Sequence, residues 1–515
     1  ALPTRFASPP LLDGLVQSLR DILGPDARPT PIQALSLKHL FADVPAGQYR
    51  QFLLASETGT GKSLAYMLPM LQALKQSEPD EAAPATTQHA LNPRALVLAP
   101  THELARQLTS FAKALIHNVK LRVLGASRAN VPSSSREYDR RGTGMRASKM
   151  AETFRGGEED GEFEVSAARR SHPVDVLVGT PSKLLELIKG RGWDRVDEPL
   201  EAFETEPRRV RRPGRPEIGL ASVEWVVVDE ADILFDADFM EETRTLLSDI
   251  AAARGHPVPA EAAAPAETPT TTTPAPAPVP HQYPFHLILT SATIPVSLAT
   301  HLRTHHPEMT RLASPRLHKL PSKLKLEFAP YTSGNRNADV EKKIREIWAE
   351  DALRGQEQSQ IVVFGNKRTR VEEQGKFLTE RGVANVVVTG NSGRSHGSNR
   401  HLEGFLKPLA RGSGAATAVE ASVTEAVEEG SKQPEERPRI LLSTSLLARG
   451  LDFAPSVRHV LVLEPPRNTA DFLHRAGRTA RAGLGGRVIV FGKMEGRGSE
   501  KVKELRRNVE ALKLR

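Results

Sequence analysis

Between residues 51 and 293 the chain returns repeatedly to short β-rich apolar runs, "QFLLAS", "RALVLAP", "LRVLGA", "VDVLVGT", "WVVVDEA" and "HLILTSAT", each separated by helix-like stretches. Side chains alternate across a strand, so a run apolar at successive positions must be covered on both faces, as in a parallel sheet wrapped by crossover helices. One α/β domain ending near residue 315 is expected. After a polar connection around "SPRLHKLPSKLK" the pattern restarts with "QIVVFGN", "ANVVVTG", "RILLSTS", "HVLVLEP" and "GRVIVFG". A second sheet of the same kind follows, and 515 residues exceed what one core usually serves.

Three stretches break the rhythm and read as surface insertions: residues 128–172, rich in Ser, Arg and Glu; 251–281, with the run "PVPAEAAAPAETPTTTTPAPAPVP"; and 408–438, mixing Gly, Ala and Glu. The Pro/Thr/Ala run has too little apolar surface to offset its ordering entropy, so disorder is expected there. No apolar run is long enough for a membrane span, which predicts a soluble chain. Cysteine is absent, excluding disulfides and thiolate zinc sites. The net charge of +8 suits an anionic partner, nucleic acid first, and equally suits Lys and Arg that are merely solvated. The first residues carry neither an apolar signal core nor an Arg-rich presequence, so any targeting peptide is expected outside this chain.

The chemistry starts where "QFLL" runs into "ASETGTGKS". Strand, Gly-rich loop and helix follow one another as in a phosphate-binding P-loop, with Ala55 at the usual first glycine. Gly59 and Gly61 let backbone N–H groups converge on phosphate oxygens, Lys62 brings a point charge to the β- and γ-phosphates, and Ser63 offers a hydroxyl to Mg²⁺. Further on, "WVVVDEADILFD" sets Asp229 and Glu230 at the end of a fully apolar strand, where carboxylates meet water only at the sheet's carboxyl edge. Beside a P-loop, Asp229 can hold Mg²⁺ and Glu230 can polarise the attacking water.

Asp229-Glu230-Ala231-Asp232 spells DEAD, and from about residue 5 to 492 the chain resembles the DEAD-box RNA helicases of superfamily 2. "PTPIQ", ending at Gln33, resembles the Q motif that reads adenine; "PTHELA" (100–105) and "GTPSKL" (179–184) resemble the RNA-facing motifs Ia and Ib. Ser291-Ala292-Thr293 is similar to motif III, "STSLLARGLD" to motif V, and "HRAGRTARAG" (474–483) to motif VI. The resemblance implies two tandem RecA-like P-loop domains with parallel sheets: 1–315 and 331–495, joined by a linker at 316–330 and followed by a basic extension at 496–515. It implies ATP contacts at Gln33, Ser56, Glu57, Thr58, Gly59, Thr60, Gly61, Lys62, Ser63 and Asp452, with Mg²⁺ on Ser63 and Asp229, partly through water. Lys62, Asp229, Glu230 and the arginine fingers Arg478 and Arg481 would be catalytic; Ser291, Thr293 and His474 would couple hydrolysis to duplex opening; Pro100, Thr101, Thr180, Lys183 and Thr444 would face RNA. Taken alone, the Arg- and Gly-rich motif VI segment reads as a solvated loop or an RNA-contact patch as readily as it reads as arginine fingers; its spacing after His474 and its place just before "GRVIVFG" favour the fingers.

Departures from the family pattern concentrate on the RNA side. His102 stands for the usual Arg, Ser182-Lys183 for Gly-Arg, and Thr444-Ser445 for Thr-Asp, which weakens planar or permanent positive contacts. "GPDARPT" lacks the aromatic that packs adenine, leaving Phe6 as a candidate, and "TGNSGRSHGSNRHLEGF" follows the Gln-x-x-Arg motif only loosely. His301 and His305 have i,i+4 metal spacing without an accompanying acid, so a solvated helix face is expected. "GRGSEKVKELRRNVEALKLR" reads as a basic amphipathic helix with Leu505, Val509 and Leu512 on one side, packing on its own domain or docking on structured RNA.

Within the family, the degenerate Q region, "PTHELA" and the insertions look most like fungal mitochondrial members that serve large ribosomal subunit assembly. That resemblance implies a mitochondrial matrix location, ribosomal RNA as substrate, pre-ribosomal proteins as partners and a monomeric chain. Two readings of function stand: an ATP-dependent RNA helicase, favoured by Glu230, Arg478 and Arg481, and an ATP-gated RNA clamp or scaffold that unwinds poorly. A DNA-directed helicase is disfavoured by the DEAD spelling and the Q motif.

Overall fold

The computed structural model describes residues 2–8, 11–41, 45, 47–77, 91–126, 174–190, 193, 216–258, 280–315, 317, 319–321, 323–332, 334–389, 402–407, 438–444, 450–481, 484–496 and 499–514. The expected insertions at 128–172 and most of 251–281 and 408–438 lie outside the described residues, as does Ser445.

The first half carries seven strands: β1 (Gln51–Ala55), β2 (Ala95–Leu98), β3 (Val123–Ala126), β4 (Val176–Gly179), β5 (Trp225–Val228), β6 (His286–Ser291) and β7 (Thr310–Ala313). Its helices are α1 (Asp13–Leu23), α2 (Pro31–His39), α3 (Lys62–Gln76), α4 (His102–Leu115), α5 (Pro181–Lys189), α6 (Ala231–Leu234), α7 (Met240–Ala253) and α8 (Val296–His305). The strands form one parallel sheet in the order β3-β4-β2-β5-β6-β1-β7. β2, β4 and β5 are buried at every position, which is why their sequences show no alternation. One core cluster lies under α1–α4, and the other lies on the opposite face with α5, α7 and α8.

The second sheet, parallel throughout, has the order β10-β11-β9-β12-β13-β8. Its strands are β8 (Leu324–Pro330), β9 (Gln360–Gly365), β10 (Asn385–Val388), β11 (Ile440–Thr444), β12 (Val457–Val462) and β13 (Gly486–Gly492). Around them lie α9 (Arg336–Leu353), α10 (Arg368–Glu380), α11 (Thr469–Ala476) and α12 (Glu500–Leu514). The stretch expected as a linker, 316–330, therefore ends in a strand. Its alternation "LKLEF" leaves Lys325 exposed, which suits an edge strand with a single neighbour. The C-terminal helix buries Val502, Leu505 and Val509, the last two within a core cluster of the second domain, so the packing reading of that helix holds; the side chain of Leu512 lies outside the described residues. No helix among the described residues is long and apolar enough to cross a membrane.

The expected solvated face of α8 is corrected. His301 and His305 are both 9 % exposed, His301 stacks on Phe235 at 4.7 Å between ring centroids, and His305 lies 4.8 Å from both His281 and His301. Imidazole rings serve here as flat packing surface between the helix and the second core cluster.

Candidate functional site

The carboxyl ends of three adjacent strands, β1, β6 and β5, carry the P-loop, the Ser291-Ala292-Thr293 turn and Asp229-Glu230. Open parallel sheets bind ligands at this edge. Gly59 and Gly61 adopt φ of 80° and 82°, left-handed backbone that glycine reaches without strain. Lys62 is buried at the start of α3, and its Nζ donates to Ser56 O at 2.8 Å and Glu57 O at 3.0 Å. Burial lowers its pKa, opposed by the charges of Glu230, Asp229 and Asp232. Ser56 Oγ and Thr60 Oγ1 share a 2.7 Å hydrogen bond that stiffens the loop. Gln33 is used by this loop: its Oε1 accepts from Thr30 N at 2.9 Å and its Nε2 donates to Gly61 O at 3.1 Å. Thr30 caps α2 and donates to Thr60 O at 2.8 Å, so the Q region is an outer brace of the P-loop. Phe6, a candidate adenine platform from sequence, is instead buried in the first core cluster among Leu11, Leu15 and their neighbours.

Asp229 is buried at the end of β5, its Oδ1 accepting from Glu230 N at 3.1 Å and from Thr290 Oγ1, its Oδ2 from Tyr66 OH at 3.2 Å. Burial pushes its pKa up to about 6; the Glu230 charge adds to this, while Thr290 and Lys62 oppose it. Glu230 sits in left-handed backbone at φ 53°, a strained conformation for a side chain of this size. Its Oε2 is buried without a hydrogen-bond partner, with His474 Nδ1 at 3.8 Å. Within the first domain two adjacent desolvated carboxylates thus face one buried lysine. That donor set of hard carboxylate oxygens fits a divalent cation.

The second domain closes over this edge. His474 Nε2 lies 2.7 Å from Asp232 Oδ2, which also accepts from Thr293 Oγ1 at 2.6 Å; Ser291 Oγ donates to Thr293 O at 2.5 Å and fixes the turn. Thr58 Oγ1 donates to Gly477 O at 3.3 Å. Arg478, 2 % exposed, donates through Nε to His474 O at 2.9 Å and through Nη1 to Leu451 O at 2.7 Å, and its charge is felt at Lys62. The aliphatic part of Arg481 lies over Gly59, where an added Cβ would stand 3.5 Å from its Cγ. Its guanidinium is paired with Asp452; burial lowers its pKa, opposed by the charges of Asp452 and Glu230. The geometry thus brings two arginines, a lysine and the carboxylates of Asp229, Glu230, Asp232 and Asp452 to one cleft formed where the domains meet.

Along the same edge, Thr101 caps α4 and Thr180 caps α5, each accepting from the backbone N–H three residues on, at 3.3 and 3.4 Å. β2 and β4 are neighbours, so two positive helix N-termini lie side by side, a surface suited to phosphates. Pro100 is buried before the first cap, and Lys183 is engaged with Glu186 at 2.9 Å. Thr444 ends β11 in the second sheet.

Residues 30–301 match the DEAD/DEAH box helicase family model, and residues 342–483 match the helicase conserved C-terminal domain. The protein named ATP-dependent RNA helicase MRH4, mitochondrial, from Cryptococcus neoformans var. neoformans serotype D (strain B-3501A) is 34% identical over 96% of this chain and 84% of its own length. The chain belongs to the DEAD-box RNA helicases. This helicase is also 27% identical, over 93% of the chain and 73% of the relative, to the protein of the same name from Aspergillus oryzae (strain ATCC 42149 / RIB 40). Among solved structures, S. cerevisiae Dbp5 bound to RNA and ADP BeF3 matches with a TM-score of 0.58 at 17% identity, covering 99% of this chain and 94% of that one. Mss116p bound to ssRNA and AMP-PNP matches at 0.59 and 16%, covering 99% and 78%. Both share its fold of two parallel-sheet α/β domains.

The structure gathers around one cleft the P-loop, Asp229, Glu230, Ser291, Thr293, His474, Arg478, Arg481 and Asp452 of this helicase. Sequence reasoning missed Asp232 as the partner of His474, Tyr66 and Thr290 as the partners of Asp229, and Gln107, whose Oε1 accepts from Asp452 N at 3.0 Å. Asp232 was legible as the fourth letter of the tetrad. Tyr66 and Thr290 are hidden in runs that otherwise read as core.

Proposed function

We propose that this ATP-dependent RNA helicase hydrolyses ATP in the cleft between its two domains and uses closure of that cleft on RNA to remodel mitochondrial large-subunit ribosomal RNA. The observation that carries the reading is the cross-domain hydrogen bond of His474 to Asp232, in contact with Thr293, beside Arg481, which lies over the P-loop, and Arg478, whose charge is felt at Lys62. Ser63 and Asp229 would hold Mg²⁺, which when bound neutralises charge on the phosphate oxygens. Phosphate entering the loop takes the Lys62 ammonium from the carbonyls of Ser56 and Glu57. Glu230, with a buried and unpartnered Oε2, orients the attacking water and receives its proton. Arg478 and Arg481 offset the charge that develops on the transferring phosphoryl group.

The carboxyl-edge surface with the N-termini of α4 and α5 takes the sugar-phosphate backbone, so binding weakens with salt and reads little sequence. The names of the curated relatives support mitochondrial location, and the matrix, ribosomal protein partners and a monomeric chain complete the reading. Lys183 held by Glu186 favours the rival reading of a clamp with weak unwinding, because that cation meets RNA only after leaving its acid.

Steady-state ATPase activity with and without mitochondrial large-subunit rRNA, with Lys62→Ala as the blank, tests the proposal. RNA stimulation is expected. Lack of stimulation with ATP-dependent RNA retention would establish the clamp, and neither would overturn both readings. Glu230→Gln is expected to keep ATP and RNA binding while turnover falls at least roughly hundredfold, the scale of losing a positioned acid–base group.

A further inference from the structure

Both guanidinium groups at the cleft hang on the same short segment. Leu451 O accepts from Arg478 Nη1 at 2.7 Å and from Arg481 Nη2 at 3.2 Å, and the Asp452 carboxylate pairs with Arg481. Within the second domain the segment is tied by Lys407 N donating to Asp452 O at 2.9 Å. From the first domain α4 meets it. Gly450 has φ 73°, and a Cβ on it would overlap the side chain of Leu104; one turn further along α4, Gln107 Oε1 accepts from Asp452 N at 3.0 Å.

Thr101, Leu104 and Gln107 follow one another at i, i+3, so they lie along one side of α4. The N-terminal end of that side lies at the surface assigned above to RNA, and its next turns grip the segment that holds the arginines. We propose that Gln107 is a positioning residue that makes RNA-dependent placement of α4 set both arginines over the P-loop, through the backbone N–H of Asp452. This rests on the reading of Arg478 and Arg481 as the groups that act on the phosphoryl. The contact spans the two domains, so it exists only when they are closed and adds nothing to the stability of either one alone. It supplies what the hydrolytic residues by themselves lack, a physical connection from the RNA surface to the guanidinium groups.

Gln107→Met keeps the length and apolar stem and removes the acceptor. It is expected to lower RNA-stimulated kcat about tenfold, the scale of one hydrogen bond lost from the closed state. ATP affinity without RNA and the melting temperature should stay at the parent's values. Gln107→Glu keeps an acceptor oxygen and should recover most of the loss. In an Arg481→Ala background the Met change should cost clearly less than in the intact chain, because one of the two groups it positions is gone. A kcat within twofold of the parent, a full multiplicative loss in the Arg481→Ala background, or a fall in melting temperature large enough to account for the loss would each overturn the proposal. If Arg481→Ala alone retains full turnover, the finger reading fails, and that control reports it separately.

Discussion

Among the described residues, the two non-glycine residues with positive φ are Glu230, in the cleft, and Ala480, which stands between Arg478 and Arg481 with its methyl in a core cluster of the second domain. Left-handed backbone costs a residue with a Cβ about 1–2 kcal/mol, so the fold holds strain where the chemistry is assigned. At Ala480, between Arg478 and Arg481, the strain has a simple release. Ala480→Gly is expected to raise stability by up to about 1 kcal/mol after the greater chain entropy of glycine is subtracted, read as a shift in urea midpoint. A drop of similar size would mean that packing of the methyl, not backbone strain, governs the position. The residues of the cleft that could be read from sequence share a property: Lys62, Asp229, Arg478 and Arg481 sit in short segments whose spacing is unusual enough to mark them. Thr290 and Tyr66 bond to Asp229 across 61 and 163 residues, and nothing local in an apolar strand or helix announces a partner that far away.

At the scale of elements, the parallel strands were legible because burial on both faces writes itself as an unbroken apolar run. Helix faces were less so, and α8 is the instructive case. Its "HLRTHH" looks polar, yet the ring faces of His301 and His306 pack within a cluster with His281, Tyr283 and Phe235, and His306 Nδ1 lies 2.7 Å from Gln51 Oε1. Burial first, and neighbouring histidines and Arg244 second, hold His301 and His306 down to about 3 and His281 to about 4. The unfolded chain takes up these protons near pH 6.5, so between that value and about 3 it binds more of them than the folded chain. The contribution is therefore whole above pH 6.5 and is lost as pH falls, by at most about 1.4 kcal/mol per pH unit for each well-buried ring. Urea unfolding should give a lower stability at pH 5.5 than at pH 7.5. His301→Phe, which keeps the stack on Phe235, should flatten that difference, and an unchanged slope would remove His301 from the account. The C-terminal helix permits a similar test. Leu505→Ala in α12 should cost about 2–4 kcal/mol of second-domain stability, whereas no change would mean the helix is detached in solution.

At the scale of the whole molecule, what the sequence could not show is how the two domains meet, because the meeting surfaces are made of residues that each domain could leave solvated. Among the glycines described at the closed arrangement, Gly477 is the most restrictive. Its φ of −69° is open to any residue, so its lack of a side chain answers no need of its own backbone. A Cβ there would stand 3.1 Å from Leu473 O of its own domain, a tight contact, but would run into Thr58 Oγ1 of the other domain, so the severe constraint belongs to the interface. Gly477→Ala should leave both domains folded, with the melting temperature unchanged, while blocking the approach that carries His474 to Asp232 and the arginines to the P-loop. RNA-stimulated ATPase should fall at least about tenfold, since a shift of around an ångström between catalytic groups carries that cost or more. Basal ATP binding, assigned mostly to P-loop residues of the first domain, should largely survive. Full activity in this variant would show that hydrolysis proceeds with the domains further apart than the structure has them, and would remove the physical basis for coupling ATP turnover to the closing of the cleft on RNA.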